Sequence, residues 1–542
     1  MRRFDAIIIG GGHNGLVAAG YLGRAGLKTL VLEASPRIGG PAAKVEWMPG
    51  YSSAVTNSPG SLEPKIVNDL ELESHGLTFT RPDPTLVHPF DDGSLFVGYR
   101  DPNRSAEQLE SFRPGEAARY QAMFDYLQNF ANRLSISMFG RPPTLQELVR
   151  NLTEPEDQEA FSRIFFGSVR DLLDDFLRSD KAKAVVAPLG VVSGQAAPST
   201  PGTPINLMMR PLSLASVRLE AGYDPRRMPL RGSTGLPIGG MNAVVQAMAA
   251  SARSVGAEIR TLTRVSRIRI KDGVVRGVVL DDGEQIDADT VISAVNPRTT
   301  VLRLIEDGED GWSELQEKMT TRKMRGKAYK LVLGLDDMPR YAAAKNDEEA
   351  RALASAQFRI APNIDYLEEA HADMMLGRTP VNPVIWGLCP SMTSAGHAPE
   401  GKHLLSLNIA NAPYELKNGN WAEEGDRLAK RCIETIARWM PNVPDIINNY
   451  RFIGPEEFER DFGLVEANIT HGDALPWNQF WMRPAPGLSD YRTPTRGLYL
   501  SGAGTWPGNF VSGIPGHNTS QVVLEDLRFE ANGLAAAETV VL

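Results

Sequence analysis

Three glycines at fixed spacing, Gly10-x-Gly12-x-x-Gly15, stand between an apolar run, Phe4 to Ile9, and a segment of helical periodicity. Glycines so placed let a backbone turn come into contact with a pyrophosphate, whose charge the positive end of the following helix stabilises. His13 and Asn14 fall inside this turn. Glu33 closes a second apolar run that begins at Lys28. A carboxylate there accepts hydrogen bonds from ribose hydroxyls and would repel a 2′-phosphate. A second glycine pair follows at once, in Glu33-Ala34-Ser35-Pro36-Arg37-Ile38-Gly39-Gly40. The fingerprint alone does not separate one dinucleotide from another.

The other end of the chain carries a related pattern. An apolar strand, Leu498 to Ser501, runs into Gly502-Ala503-Gly504, with Pro507-Gly508 and Val511-Ser512-Gly513-Ile514 beyond. Backbone N–H groups of such a strand-to-helix turn stabilise negative charge, and no acidic residue stands between Gly502 and Gly513. Of the eight histidines, His517 is the best-placed titratable group, with a structural place at the start of a helix as its alternative. Asn509, Tyr51 and Arg483 are further candidates for catalysis, and no acid–base pair emerges by spacing. His471 and Asp473 precede the aromatic segment Trp477 to Trp481, which either lines a cavity or packs a lid. Cys389 and Cys432 are the only cysteines, and there is no Cys-x-x-Cys. A redox dithiol, a disulfide framework and a structural zinc site are therefore not expected, and no metal is implied.

The elements that position these residues follow from periodicity. The first turn belongs to a βαβ unit whose helix spans about Leu16 to Ala25 and ends at Gly26. Helical patterns recur over 104–137 and 154–187. Pro198, Pro201, Pro204 and Pro211 then mark an irregular segment that includes Leu207, Met208 and Met209. Met241, Val244, Val245, Met248, Ala252 and Val255 predict a helix capped at Gly256. Asp272-Gly273 and Asp282-Gly283 predict hairpin turns, and Thr290 to Ala294 is apolar enough to re-enter the main sheet. A helix is expected near 422–439, stopped by Pro441, and another from about Thr519.

Composition bounds the function. The chain has 542 residues, 42% hydrophobic and 23% charged, as expected of a globular enzyme with more than one core. A net charge of −9 excludes nucleic acid as an expected partner, and short basic pairs such as Arg226-Arg227 and Arg322-Lys323 read as solvated surface. The apolar run behind Met1-Arg2-Arg3 is too short for a signal segment, and no window spans a bilayer. A cytoplasmic protein is expected, with peripheral membrane contact through the Met208-Met209 region as a variant.

From Glu33 to Gly40 the chain resembles the large flavoprotein group that contains amine oxidases and phytoene desaturases. In that group the glycine pair lets the loop cross near the pyrophosphate and lead toward the flavin. The group usually continues with arginine; Pro41 replaces it here and leaves Arg37 as the nearest cation. Gly239-Gly240-Met241-Asn242, Gly256-Ala257-Glu258-Ile259 and Val265 are similar to the phytoene desaturase branch, where the residue at Val265 pairs through its backbone with adenine. Phe480 to Asp490, Tyr491-Arg492-Thr493-Pro494 and Gly497 to Gly504 are similar to its phytoene-dehydrogenase-like subgroup. Trp506, Asn509 and Phe510 stand where that subgroup has a histidine and small residues, so they either reshape a cavity floor or fill packing space.

The resemblance, which runs from residue 5 to about 525, implies an α/β fold. A discontinuous Rossmann-like FAD-binding domain (1–61, 232–298 and 490–535) would carry an inserted α+β substrate domain (62–231 and 299–489). It implies FAD held by Gly10, Gly12, His13, Asn14, Gly15, Glu33, Ala34, Arg37, Gly39, Gly40, Val265, Gly502, Gly504, Gly513 and Ile514. It also implies hydride transfer between a C–H bond of a largely apolar small molecule and flavin N5, in a desaturase, saturase or isomerase. With only one nucleotide site visible, electrons would pass to oxygen, a quinone or another organic acceptor. An amine-oxidase-like enzyme using oxygen, and a flavin-bound interaction protein without catalysis, are the rival readings. The oligomeric state is left open.

Overall fold

Ile7, Ile8 and Ile9 have no polar face to turn toward water, so their strand must lie inside a sheet. In the computed structural model, which describes residues 3–57, 62–220, 235–508 and 510–540, Arg3–Ile9 is the centre of a mixed sheet. It pairs in parallel with Thr29–Leu32 on one side and with Gln285–Ser293 on the other. Thr29–Leu32 pairs in parallel with Glu258–Arg260. The carboxyl half of Gln285–Ser293 pairs in parallel with Leu498–Leu500, so three distant stretches of chain share one sheet. Its amino half is antiparallel to Val274–Leu280, which in turn pairs with Val265–Lys271. Both residues of the turn between those last strands have positive φ, Asp272 at 54° and Gly273 at 69°, the mirror-image turn that suits a two-residue hairpin.

The first helix is His13–Arg24, and the last, Ile514–Val540, packs against it. The approach is close at Gly516, where a Cβ would lie 2.2 Å from the Asn14 carbonyl oxygen. Both helices begin earlier than their periodicity suggests. Gly12 caps the first, and Pro515 fits the first turn of the second, where its missing N–H costs no hydrogen bond.

A second sheet runs in the order Ile447–Ile453, Tyr329–Leu335, His403–Ala410, Val384–Leu388, Gln357–Ile360, Leu86–Pro89, Leu95–Gly98. It is antiparallel except where Gln357–Ile360 meets Leu86–Pro89. The helix Pro102–Phe112 packs on its edge strand Leu95–Gly98. The segment around Pro211, read as irregular, is instead the helix Ile205–Glu220. Burial of Met208, Leu212 and Ala215 against neighbouring helices outweighs the hydrogen bond lost at the proline. Leu207 and Met208 are buried, so this apolar stripe faces the core. Trp421–Ala437 realises the expected helix before Pro441.

Arg322 is half-buried rather than solvated: it donates to the Asn478 side chain and to the Met482 carbonyl. Arg226 and Arg227, Asn509, and the expected boundaries near 61 and 231 lie outside the described residues. Among the described residues no helix is long and apolar enough to cross a membrane, and no cluster of His, Cys, Asp and Glu is arranged to hold a metal. Both cysteines are buried free thiols, and burial pushes Cys389 up to about 11.

Candidate active site

Four parallel strands of the first sheet end at one cavity of about 1890 Å³. Ile9 and Gly10, Leu32 and Glu33, Ala294 to Asn296, and Gly502 with Ala503 line its mouth at the carboxyl edge of the sheet, the place where open α/β sheets bind ligands.

At this end the backbone is bare. The helix His13–Arg24 has glycine at its N-cap, no side-chain cap and no acid in its first turn, so its leading N–H groups remain free for an anion. A Cβ on Gly12 or on Gly40 would meet nothing within 4 Å, and both residues line the cavity. The two glycine clusters touch: the Gly39 N–H donates to the Gly11 carbonyl at 2.8 Å. Gly39 holds φ at 111°, and a Cβ there would press on Val245. Glu33 accepts from the backbone N–H groups of Gly11 and Ser35, each at 2.8 Å, which aims its carboxylate along the cavity wall. Buried polar atoms stand without partners beside this cradle, at His13 Nε2 and Asn14 Oδ1. Bare backbone, a free helix end and a fixed carboxylate at Glu33 together fit the diphosphate and sugar of FAD.

Of the residues expected to hold the cofactor, Gly10, Gly12, His13, Asn14, Glu33, Ala34, Arg37, Gly39, Gly40, Val265 and Gly502 line the cavity. Pro41 and Ala42 continue the same wall. Gly15, Gly504, Gly513 and Ile514 stand behind it. A Cβ on Gly504 would strike Pro297 at 2.4 Å, and one on Gly513 would meet Ile66 at 3.0 Å, so these glycines serve packing of the C-terminal turn. The His13 ring reaches the Phe510 backbone, and burial holds it down to about 4, so it is a neutral imidazole at the junction of the two chain ends.

The catalytic candidates fare differently. His517 is buried between Tyr21 and Phe139, with ring centroids 5.0 and 5.2 Å away, and bonds Asn518 at 2.9 Å. Tyr51 packs on the second sheet, where its hydroxyl accepts from Asn448 at 2.7 Å. Arg483 is fully buried and donates to the carbonyls of Thr470 and Ala503 at 2.7 and 2.6 Å, tying the C-terminal turn to the 470–478 loop. None of these three lines the cavity. His471 does, and burial pulls it down to about 4. Phe510 also lines the cavity, while Trp506 is buried against Phe480 with ring centroids 4.8 Å apart.

Three cations that periodicity did not single out lie in strands of the second sheet or, for Lys327, two residues before one. Lys327 lines the cavity, donates to the Val191 carbonyl, and is pulled down to about 8 by burial against a weaker pull from Asp473. Lys330 is fully buried and donates to the Val55 carbonyl at 3.0 Å and to Asn57 and Asn408 at 2.6 and 3.2 Å; burial depresses it well below its ordinary value. Arg359 lines the cavity farther along the sheet. A lysine inside the otherwise apolar run Tyr329–Leu335 is the one signal in the sequence that pointed to such a site.

If Glu33 receives ribose hydroxyls, Glu33→Ala will weaken FAD binding by about 1–3 kcal/mol. Titration of apoprotein with FAD, followed by flavin fluorescence, measures the change. Unaltered affinity would remove Glu33 from the site.

The profile of the flavin-containing amine oxidoreductase family matches residues 15–319. The chain is 29% identical to rat pyridine nucleotide-disulfide oxidoreductase domain-containing protein 2, over 97% of this chain and 94% of that one. It is 24% identical to a limonene dehydrogenase polypeptide of Castellaniella defragrans, over 97% and 95%. With the neurosporene-forming phytoene desaturase of Rhodobacter capsulatus it shares 22% identity, over 94% and 91%. Among solved structures, wild-type putrescine oxidase bound to putrescine superposes with a TM-score of 0.59 at 14% identity, over 97% of this chain and 99% of that one.

Proposed function

The chain belongs to the flavin-containing amine oxidoreductase family and is an FAD-binding oxidoreductase, and from that premise we propose that it removes hydride from a C–H bond of a largely apolar organic molecule. Bound FAD supplies the hydride acceptor, N5 of its ring. The observation that carries the reading is the continuity of the cavity. The space that begins at the dinucleotide cradle is lined farther in by Phe96, Leu109, Phe124, Met138, Leu189, Phe358, Leu367 and Trp386. Such a wall binds hydrocarbon and keeps water from the reacting carbon.

Desaturation also releases a proton, and Lys327 is the group matched to take it. It lines the cavity, and with a basicity near 8 its amine is available without strong base. The neighbouring Asp473 is itself pushed up by burial, which weakens its hold on the lysine. The hydrocarbon substrates in the names of two relatives support the same class, and oxygen or a quinone is proposed as the terminal acceptor.

The test is anaerobic mixing of the yellow protein with limonene, phytoene and dodecane, and in parallel with putrescine and benzylamine. Bleaching of the flavin band by hydrocarbons and not by amines is expected. Bleaching by amines alone would replace this reading with that of an amine oxidase.

A further inference from the structure

One row of side chains crosses the cavity face of the second sheet. Lys330 stands opposite Asn408, Asn408 opposite Trp386, and Trp386 opposite Arg359, each on the neighbouring strand. Three strand spacings place the two cations roughly 14 Å apart. They are held differently. Lys330 spends its donors on Val55, Asn57 and Asn408, next to the loop that leaves the cofactor cradle.

Arg359 lies over the Trp386 ring, 4.4 Å from its centroid; the Tyr120 phenol is its electrostatic neighbour, and among the described residues it has no hydrogen-bond acceptor and no carboxylate partner. The surface it keeps opens on the cavity, which Tyr120, Phe124, Leu367 and Val384 also line. An enclosed guanidinium with no counter-ion is costly, and burial draws it down to about 10, still a cation at neutral pH. Packing over an indole restricts the guanidinium, and its fork of N–H groups, with no protein acceptor, suits a carboxylate received at two points.

We propose that Arg359 anchors the carboxylate of an amphipathic substrate, whose apolar body lies along the cavity toward the cofactor end. This rests on the proposed function above and narrows it: the substrate is an acid with a long hydrocarbon part. The same charge repels a protonated amine, so it also sets the chain apart from enzymes that oxidise amines in a related fold.

The test uses the FAD-loaded protein and three probes that share one hydrocarbon chain, dodecanoate, dodecanol and dodecylamine, kept below their micellar concentrations. Tryptophan fluorescence reports binding, since Trp386 adjoins the anchor. Dodecanoate is expected to bind about tenfold or more tightly than dodecanol, and dodecylamine most weakly. Arg359→Gln brings dodecanoate to the level of dodecanol and leaves dodecanol within about twofold of wild type, while Arg359→Lys retains part of the preference.

The proposal is overturned if dodecanoate and dodecanol bind alike to wild type, if none of the probes binds, if dodecylamine binds best, or if Arg359→Gln leaves dodecanoate unaffected. Should Arg359→Gln fail to fold, the wild-type head-group series and the lysine variant decide. Yellow protein without head-group preference removes the anchor alone; protein that stays colourless after incubation with FAD removes the cofactor reading beneath it.

Discussion

A Gly15→Val variant will lose nearly all of its FAD. A Cβ at this position would lie 2.1 Å from the Gly10 carbonyl oxygen, 3.2 Å from Ile8 Cγ2 and 3.3 Å from the Ala294 Cβ. Backbone and two packed side chains cannot all yield, so the helix His13–Arg24 must lift from the strand ends. Lifting it separates the Gly10–Gly12 turn from the helix N-terminus and opens the anion site that depends on both. The purified variant is expected to show less than about a tenth of the wild-type flavin absorbance per protein, on the scale of a close-packed site that must open. Gly12→Ala serves as the contrast. Its Cβ meets no protein atom within 4 Å but points into the cavity, so the apoprotein keeps its thermal stability and loses affinity for FAD. Wild-type flavin content in Gly15→Val would show that the fingerprint is a tight turn and nothing more.

The difference between those two glycines also marks what the sequence makes legible. Gly15 and Gly12 belong to one motif, and spacing alone assigns both to a dinucleotide turn. That one glycine faces the strand and the other the cavity is a matter of packing, which spacing does not carry. The hairpin at Asp272-Gly273, the strand entering the sheet near Thr290 and the meeting of the chain ends were readable because each depends on a few adjacent residues. The helix through Pro211 was not, because tertiary burial of Met208 and Leu212 overrides a local breaker.

The substrate side was the least legible for a related reason. Residue type made Tyr51, Arg483 and His517 plausible chemists, yet type says nothing about direction. Arg483 turns its guanidinium into loop carbonyls, and His517 packs between two aromatic rings. Lys330, Asn408, Trp386 and Arg359 come together only through strand register, in a chain order that runs 330, 359, 386, 408 while the spatial order runs 330, 408, 386, 359. A period-two pattern states which residues share a face of one strand; it does not state which strands are neighbours.

Lys327→Met will cost about 10²- to 10⁴-fold in kcat/KM, measured with any substrate that bleaches the wild-type flavin, and will leave FAD content unchanged. A base works when deprotonated, so the wild-type kcat/KM should rise with pH and level above about 8, the value to which burial brings this amine. In the methionine variant that rise disappears. Stability supplies an independent check whose sign differs from the usual paired lysine. Here the folded value lies below that of the unfolded chain, near 10.4, so between about 8 and 10.4 the unfolded state binds the extra proton.

Wild-type stability from this group therefore increases as pH rises through that window, by about 3 kcal/mol at most, and below it the lysine is a charge the fold must bury. Urea unfolding of wild type and Lys327→Met at pH 7.5 and 9.5 isolates the term, because ionisation of the other groups is common to both proteins. The gap between them should shift in favour of wild type at the higher pH. A pH-independent gap, together with a preserved pH profile of kcat/KM, would place the proton elsewhere in the cavity and leave Lys327 as a donor to the Val191 carbonyl alone.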